Sequence, residues 1–236
     1  MPNAKSEIPA IDAVLDEFLA ARREQLRPGA LHDCEDALGL LRDSLNGYAY
    51  DSLAGEERRR WEQAFDAGDE TAFCRLFGPD KLLDHLGEFF GYFMVRKVMA
   101  DTAFLHSTGT VVADLTRWLG KRGYVDAATV GEAVDRAEAA ADDLPRADRL
   151  GSLLYDAARS ADPIDLDALA DEDYVEDFLE ITRVESGALW FSGDIGPVPV
   201  PAEAAQFVEV GWSVNIVLAR IQGAWRVIEV GNVYPL

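Results

Sequence analysis

The sequence predicts an α+β chain of two domains. An all-helical N-terminal domain covers residues 1–160, an acidic linker 161–173, and a small SH3-like or OB-like β-barrel 174–236. Three observations carry this division. Up to about Ser160 the apolar residues recur every three or four positions, the repeat of one buried helix face. Beyond Leu179, valine, isoleucine and tryptophan alternate with polar residues, the repeat of a half-buried strand. Between them, Ala161 to Asp173 is acidic, contains Pro163 and offers only scattered leucines.

The helical part is read as about seven helices. Ile11, Val14, Leu15, Phe18 and Leu19 define the first, which stops before Pro28-Gly29. Leu31, Cys34, Leu38, Leu41, Leu45 and Tyr48 step by three and four along the second, with Gly47 at its end. Trp61 and Phe65 anchor a third, and Asp69 caps a short fourth carrying Phe73, Leu76 and Phe77. From Lys81 to about Phe104 the apolar residues cover more than one face, so this stretch is expected to be a central helix, with Gly87 and Gly91 admitting a close neighbour. Val111, Val112, Leu115, Trp118 and Leu119 form the next, closed by Gly123. An alanine-rich helix runs from Asp126 to about Asp142 on the surface, Leu144-Pro145 breaks it, and Leu150, Leu153, Leu154 and Ala157 define a last helix.

In the β part, Leu179–Val184 turns at Glu185-Ser186-Gly187 into Ala188–Phe191, a hairpin. Pro197, Pro199 and Pro201 allow only an edge strand or extended loop there. Ala202 to Gln206 suits one helical turn. Trp212, Val214, Ile216 and Leu218 alternate, Gln222-Gly223 turns, and Trp225, Val227, Ile228 and Val230 return. Few strands with a short helical insert point to a small barrel.

Composition narrows function. With 236 residues, 49% of them hydrophobic, the chain can bury two cores and is not globally disordered. A net charge of −21 repels phosphate backbones, so nucleic acid is not an expected partner. The closest basic run, Arg58-Arg59-Arg60, is followed at once by Trp61-Glu62. Lysine occurs only at positions 5, 81, 97 and 121 while aspartate is abundant, a bias of a high-salt cytoplasm or of a GC-rich genome. Cys34 and Cys74 sit in apolar helical patterns as small buried hydrophobes, which fits a reducing compartment. Met1 to Ala10 has no apolar core of a signal peptide, and the apolar run Phe89–Val95 is interrupted by Gly91, so a cytoplasmic chain without a membrane span is expected.

No catalytic, metal or cofactor motif emerges. G-x-S-x-G, a P-loop and a dinucleotide glycine fingerprint are absent. His32-x-Cys34 and Asp84-His85 with Glu88 lack the second pair that a tetrahedral metal site needs. Asp80, Asp84 and Glu88 recur at helix spacing and read as a solvated stripe rather than paired acid/base carboxylates. Gly109 to Ala139 has the outline of a helix-turn-helix, but its second helix would offer Asp126, Glu132, Asp135 and Glu138 to DNA with only Arg136 in support.

The succession Val14-Leu15-Asp16-Glu17-Phe18-Leu19, Leu26-Arg27-Pro28, then Leu31, Leu38 and Leu40-Leu41-Arg42, resembles the SAM-like core-binding region of tyrosine recombinases over residues 11–45. The resemblance implies descent from a helical DNA clamp. The turn Leu26-Arg27-Pro28-Gly29-Ala30 lacks the family's Ser/Thr positions, and no catalytic arginine, H-x-x-R element or tyrosine block follows, so recombination is not implied.

What remains are the aromatics of the β part. Trp212 and Trp225 head apolar runs and are assigned to the core, whereas Trp190 and Tyr234, near turns or the terminus, are the candidates for partner binding. The function expected is therefore a non-catalytic protein-interaction module for a partner with a basic surface, using no cofactor. Its rivals are a nucleic-acid-associated factor and an enzyme assembled from scattered carboxylates.

Overall fold

The structure is a computed structural model that describes residues 8–160 and 169–235. It has the two-part α+β layout, helices over residues 11–159 and a five-stranded antiparallel sheet over 174–234. Residues 161–168, which make up most of the expected linker, and the start of the chain before Ile8 lie outside the described residues. Among the described residues no helix is long and apolar enough to cross a membrane.

Two compact units result. One holds the residues up to Phe93 together with Phe104–Ala141; the other holds Met94–Ala103 and the residues from Asp142 onward. The sequence places Leu150, Leu153 and Leu154 with the helical domain, yet they share a core with the strands.

In the first unit, α1 (Ile11–Arg23) and α2 (Pro28–Tyr48) are amphipathic helices whose expected seams are buried, Ile11, Val14, Leu15 and Phe18 on one and Cys34, Leu38, Leu41 and Leu45 on the other. Pro28 opens α2, where a missing N–H costs nothing. Arg42 of α2 fastens α1 by donating to Asp12 at 3.1 Å and pairing with Asp16. A 3₁₀ turn (Ala49–Ser52) leads to α3 (Gly55–Asp66), α4 (Ala72–Leu76) and α5 (Pro79–Asp84).

The single central helix expected over Lys81–Phe104 is not formed. After α5 the chain makes α6 (Leu86–Glu88), a six-residue π-helix over Phe89–Met94, and α7 (Val95–Lys97) before leaving helical geometry at Val98. Phe-Phe-Gly-Tyr-Phe-Met is apolar all round, so packing favours the wider turn that buries Phe89, Phe90, Phe93 and Met94 together.

α8 (Thr102–Arg122) and α9 (Ala127–Arg159) come next. Gly123, with φ of 71°, ends α8, and the Asp126 carboxylate accepts the Ala128 and Thr129 N–H groups at 3.0 Å to start α9. Gly120 lies against Val130 and Gly109 against Ala141, so these stretches run antiparallel as an αα-hairpin. Gly109 and Gly120 admit this close approach, while Gly87 faces the Arg136 guanidinium.

The expected break at Pro145 does not occur: α9 is one helix of 33 residues with Pro145 inside it. Proline has no N–H to give the carbonyl four residues back, that of Ala141. His106 Nδ1–H of α8 donates to that oxygen instead, at 2.9 Å.

In the second unit β1 (Tyr174–Glu185), β2 (Ala188–Phe191), β3 (Ile195–Pro199), β4 (Ser213–Ile221) and β5 (Ala224–Tyr234) pair in the order β3-β2-β1-β4-β5. The hairpin, the proline-bearing edge strand β3 and the short turn at Ala202–Gln206 stand where expected. The barrel does not close. β3 and β5 are the two edges with no ladder between them, and Pro197 and Pro199 remove donors a closing ladder on β3 would need. The inner face is covered instead by Ala147, Leu150, Leu153 and Leu154 of α9, against Leu179, Ile181, Leu189, Phe191, Val214 and Ile216. Arg146 pairs with Glu209 at 2.6 Å and lies over the Trp212 ring, which fixes the helix on the sheet.

Candidate functional site

Strand alternation decides what the outer face of the sheet carries. Leu179 and Ile181 on β1, and Val214, Ile216 and Leu218 on β4, point to the core, so their neighbours point away from it. Cross-strand pairing arranges those neighbours in rows. Val217 stands between Glu176 and Glu229; Asn215 stands beside Phe178; Ser213 stands between Glu180 and Tyr234. Gly231 of β5 lies against Asn215, whose side chain occupies the space a Cβ would need. The register slips by one residue here, a bulge in the β4–β5 pairing.

At one end this face is closed, with Ala219 at 0% exposure. At the other end it opens on Phe178 at 50%. The Phe178 and Tyr234 ring centroids are 5.5 Å apart with planes inclined at 51°, an aromatic pair standing on the sheet surface. Glu176, Glu180 and Glu229 around it are all exposed. Tyr174 donates its hydroxyl to Glu176 at 2.9 Å, and this bond, helped by the nearby Glu229 charge, raises its phenol above the ordinary value.

Of the two residues expected to bind a partner, Tyr234 belongs to this open pair and Trp190 does not. Arg183 lies 4.5 Å over the centroid of the half-buried Trp190 ring, and the backbone of Gly196 passes close by. Gly196 has φ of +146°, and a Cβ there would lie 2.5 Å from Trp190 Cδ1, so the indole is packed by its own strands. Trp212 is buried as expected, and Trp225 packs against the same core while half-buried. Phe178 escapes the sequence reading, which starts the strand at Leu179. Its signal is an aromatic out of phase with the core, between the outward Glu176 and Glu180.

The helical unit brings none of its sequence candidates into a cluster. His32 is exposed and pairs with Asp36 at 3.3 Å, whereas Cys34 turns into the core. Asp80, Asp84 and Glu88 are all solvent-exposed. His85 is buried and bridges elements: its Nδ1–H donates to the Lys81 carbonyl at 2.7 Å and its Nε2 meets the Ser52 hydroxyl at 2.9 Å. Ser52 Oγ also lies 2.8 Å from the Ala49 carbonyl, so imidazole and hydroxyl tie the 3₁₀ turn to α5. Among the described residues no three His, Cys, Asp or Glu side chains converge to hold a metal ion.

Several of the basic residues singled out in the sequence are engaged within the chain. Arg58 donates to Glu62 at 2.9 Å and Arg59 to Glu56 at 2.5 Å. In α1, Arg22 pairs with Asp114 and Arg23 with Glu35, both at 3.2 Å. The α8–α9 pair is an antiparallel hairpin, not two helices crossing at the steep angle that lays one into a DNA groove.

Compared with known protein families, curated proteins and solved structures, the chain finds no match.

The two thiols give a direct check on the packing. Burial pushes Cys74 up to about 12 and also raises Cys34, so neither forms thiolate near neutrality. Both are expected to resist a disulfide-exchange reagent at pH 8 in the folded chain and to react at once in denaturant. Rapid reaction of either thiol in the native chain would contradict the burial of α2 and α4.

Proposed function

We propose that this chain is a non-catalytic protein-interaction module of a reducing cytoplasm, and that its contact surface is the outer face of the C-terminal sheet. The observation that carries the reading is the Phe178–Tyr234 pair, with Phe178 half-exposed on a sheet face that is otherwise polar or closed. Exposed aromatic area of this kind supplies binding energy at low entropic cost. The net charge of −21 favours a partner with a basic surface and speeds its encounter. The free, buried cysteines fit the compartment.

The test compares the native chain with Phe178→Ala as baits in its own cytosol at matched ionic strength. The variant should fold normally, since the ring is exposed, and should lose a defined subset of captured proteins. Identical captures by both baits would sink the assignment of this face.

A further inference from the structure

Four rings of the C-terminal unit each carry an arginine. Arg183 lies over Trp190, Arg146 over Trp212, Arg220 over Trp225 and Arg149 over Phe207, each guanidinium carbon within 6 Å of the ring centroid. Each exploits the negative face of an aromatic ring. The Phe178–Tyr234 pair carries none. Among the described residues no guanidinium or ammonium stands over either ring, although Phe178 is half-exposed. Nor do Glu176, Glu180 and Glu229 have a cationic partner among the described residues; Arg226, opposite Ala219, stands beyond the Glu176–Val217–Glu229 row.

Two attractions for a cation therefore coincide on one patch: aromatic faces and uncompensated carboxylates. We propose that the Phe178–Tyr234 pair receives an arginine side chain from a basic segment of a partner protein, the guanidinium lying on the rings with Glu180 and Glu229 in reach of its N–H groups. This rests on the reading of the sheet face as the contact surface. Arginine is favoured over lysine because a planar guanidinium stacks on a ring and forks to a carboxylate at the same time.

A chain of this charge attracts any basic peptide, so the experiment must separate the patch from the bulk field. The full chain is titrated, by NMR, with a nine-residue peptide holding one central arginine between two lysines, and with the same peptide carrying neutral citrulline at the centre. The native chain should prefer arginine by about two- to fivefold beyond the preference retained by Phe178→Ala, the worth of one exposed cation–π contact. Glu180→Gln should weaken the arginine peptide more than Glu132→Gln, which removes the same charge from an exposed position in the helical unit.

An arginine preference equal in the native chain and Phe178→Ala would overturn the proposal, as would equal losses from the two glutamate variants. A native chain that dimerises through this face and ignores the peptide would overturn it as well. If Phe178→Ala loses its captured proteins while arginine and citrulline peptides bind alike, the arginine assignment falls and the interaction face stands.

Discussion

Gly109→Ala is expected to destabilise the helical unit by about 2 kcal/mol, although alanine is the better helix former. A Cβ at position 109 would lie 2.5 Å from both N and Cα of Ala141 and 2.6 Å from its Cβ. The first two are backbone atoms of a neighbouring helix and cannot rotate away, so α8 and α9 must move apart along their contact. Overpacking of this kind costs about 1–3 kcal/mol, with a backbone-to-backbone clash at the upper end. The propensity gain of about 1 kcal/mol offsets only part of it.

Gly131 supplies the opposite sign within the same hairpin. It lies inside α9 with nothing within 4 Å of the place a Cβ would take, so Gly131→Ala should gain stability by up to about 1 kcal/mol. Urea titrations followed by far-ultraviolet circular dichroism would rank the three proteins as Gly131→Ala, native, Gly109→Ala. A Gly109→Ala midpoint at or above the native one would show that the helices are not in backbone contact.

The parts of this fold legible in the sequence are those where one face is buried and the other is not. The seam Leu31–Cys34–Leu38–Leu41–Leu45 marks α2 because burial on one side leaves a period, and the alternation of buried Val214 and Ile216 with half-buried Ser213 and Asn215 marks the start of β4 for the same reason. Phe89–Met94 is apolar on every side, so its pattern holds no phase to reveal where the backbone widens into a π turn. Closure of the sheet is also invisible to alternation. It depends on whether the neighbouring edges β3 and β5 form a ladder, and the leucines of α9 that cover the inner face lie before the predicted boundary. At the candidate site, Tyr234 is legible from its place at the end of a strand run. Phe178 is hidden because acidic Asp171–Asp177 before it has the composition of a linker, and only the register shows Glu176 and Phe178 as outward members of β1.

Pro145 is the place where local chemistry and tertiary structure disagree most, and it yields the second large effect. A proline within a helix withholds an N–H from the carbonyl four residues back and ordinarily ends the helix. Here α9 continues to Arg159 because the Ala141 carbonyl receives its hydrogen bond from His106 across the hairpin. A carbonyl only accepts, so Nδ1 carries the proton. His106→Ala strands that oxygen in a residue that is 5% exposed, at a cost of about 1–2 kcal/mol. The loss is conditional on the proline. Pro145→Ala restores a backbone N–H able to reach Ala141, so His106→Ala should cost about 1 kcal/mol less in that background than in the native one. The four proteins of this cycle, compared by urea unfolding, isolate the coupling from any other contact of the imidazole. Equal costs of His106→Ala in the two backgrounds would mean that the histidine does not replace the missing helix bond.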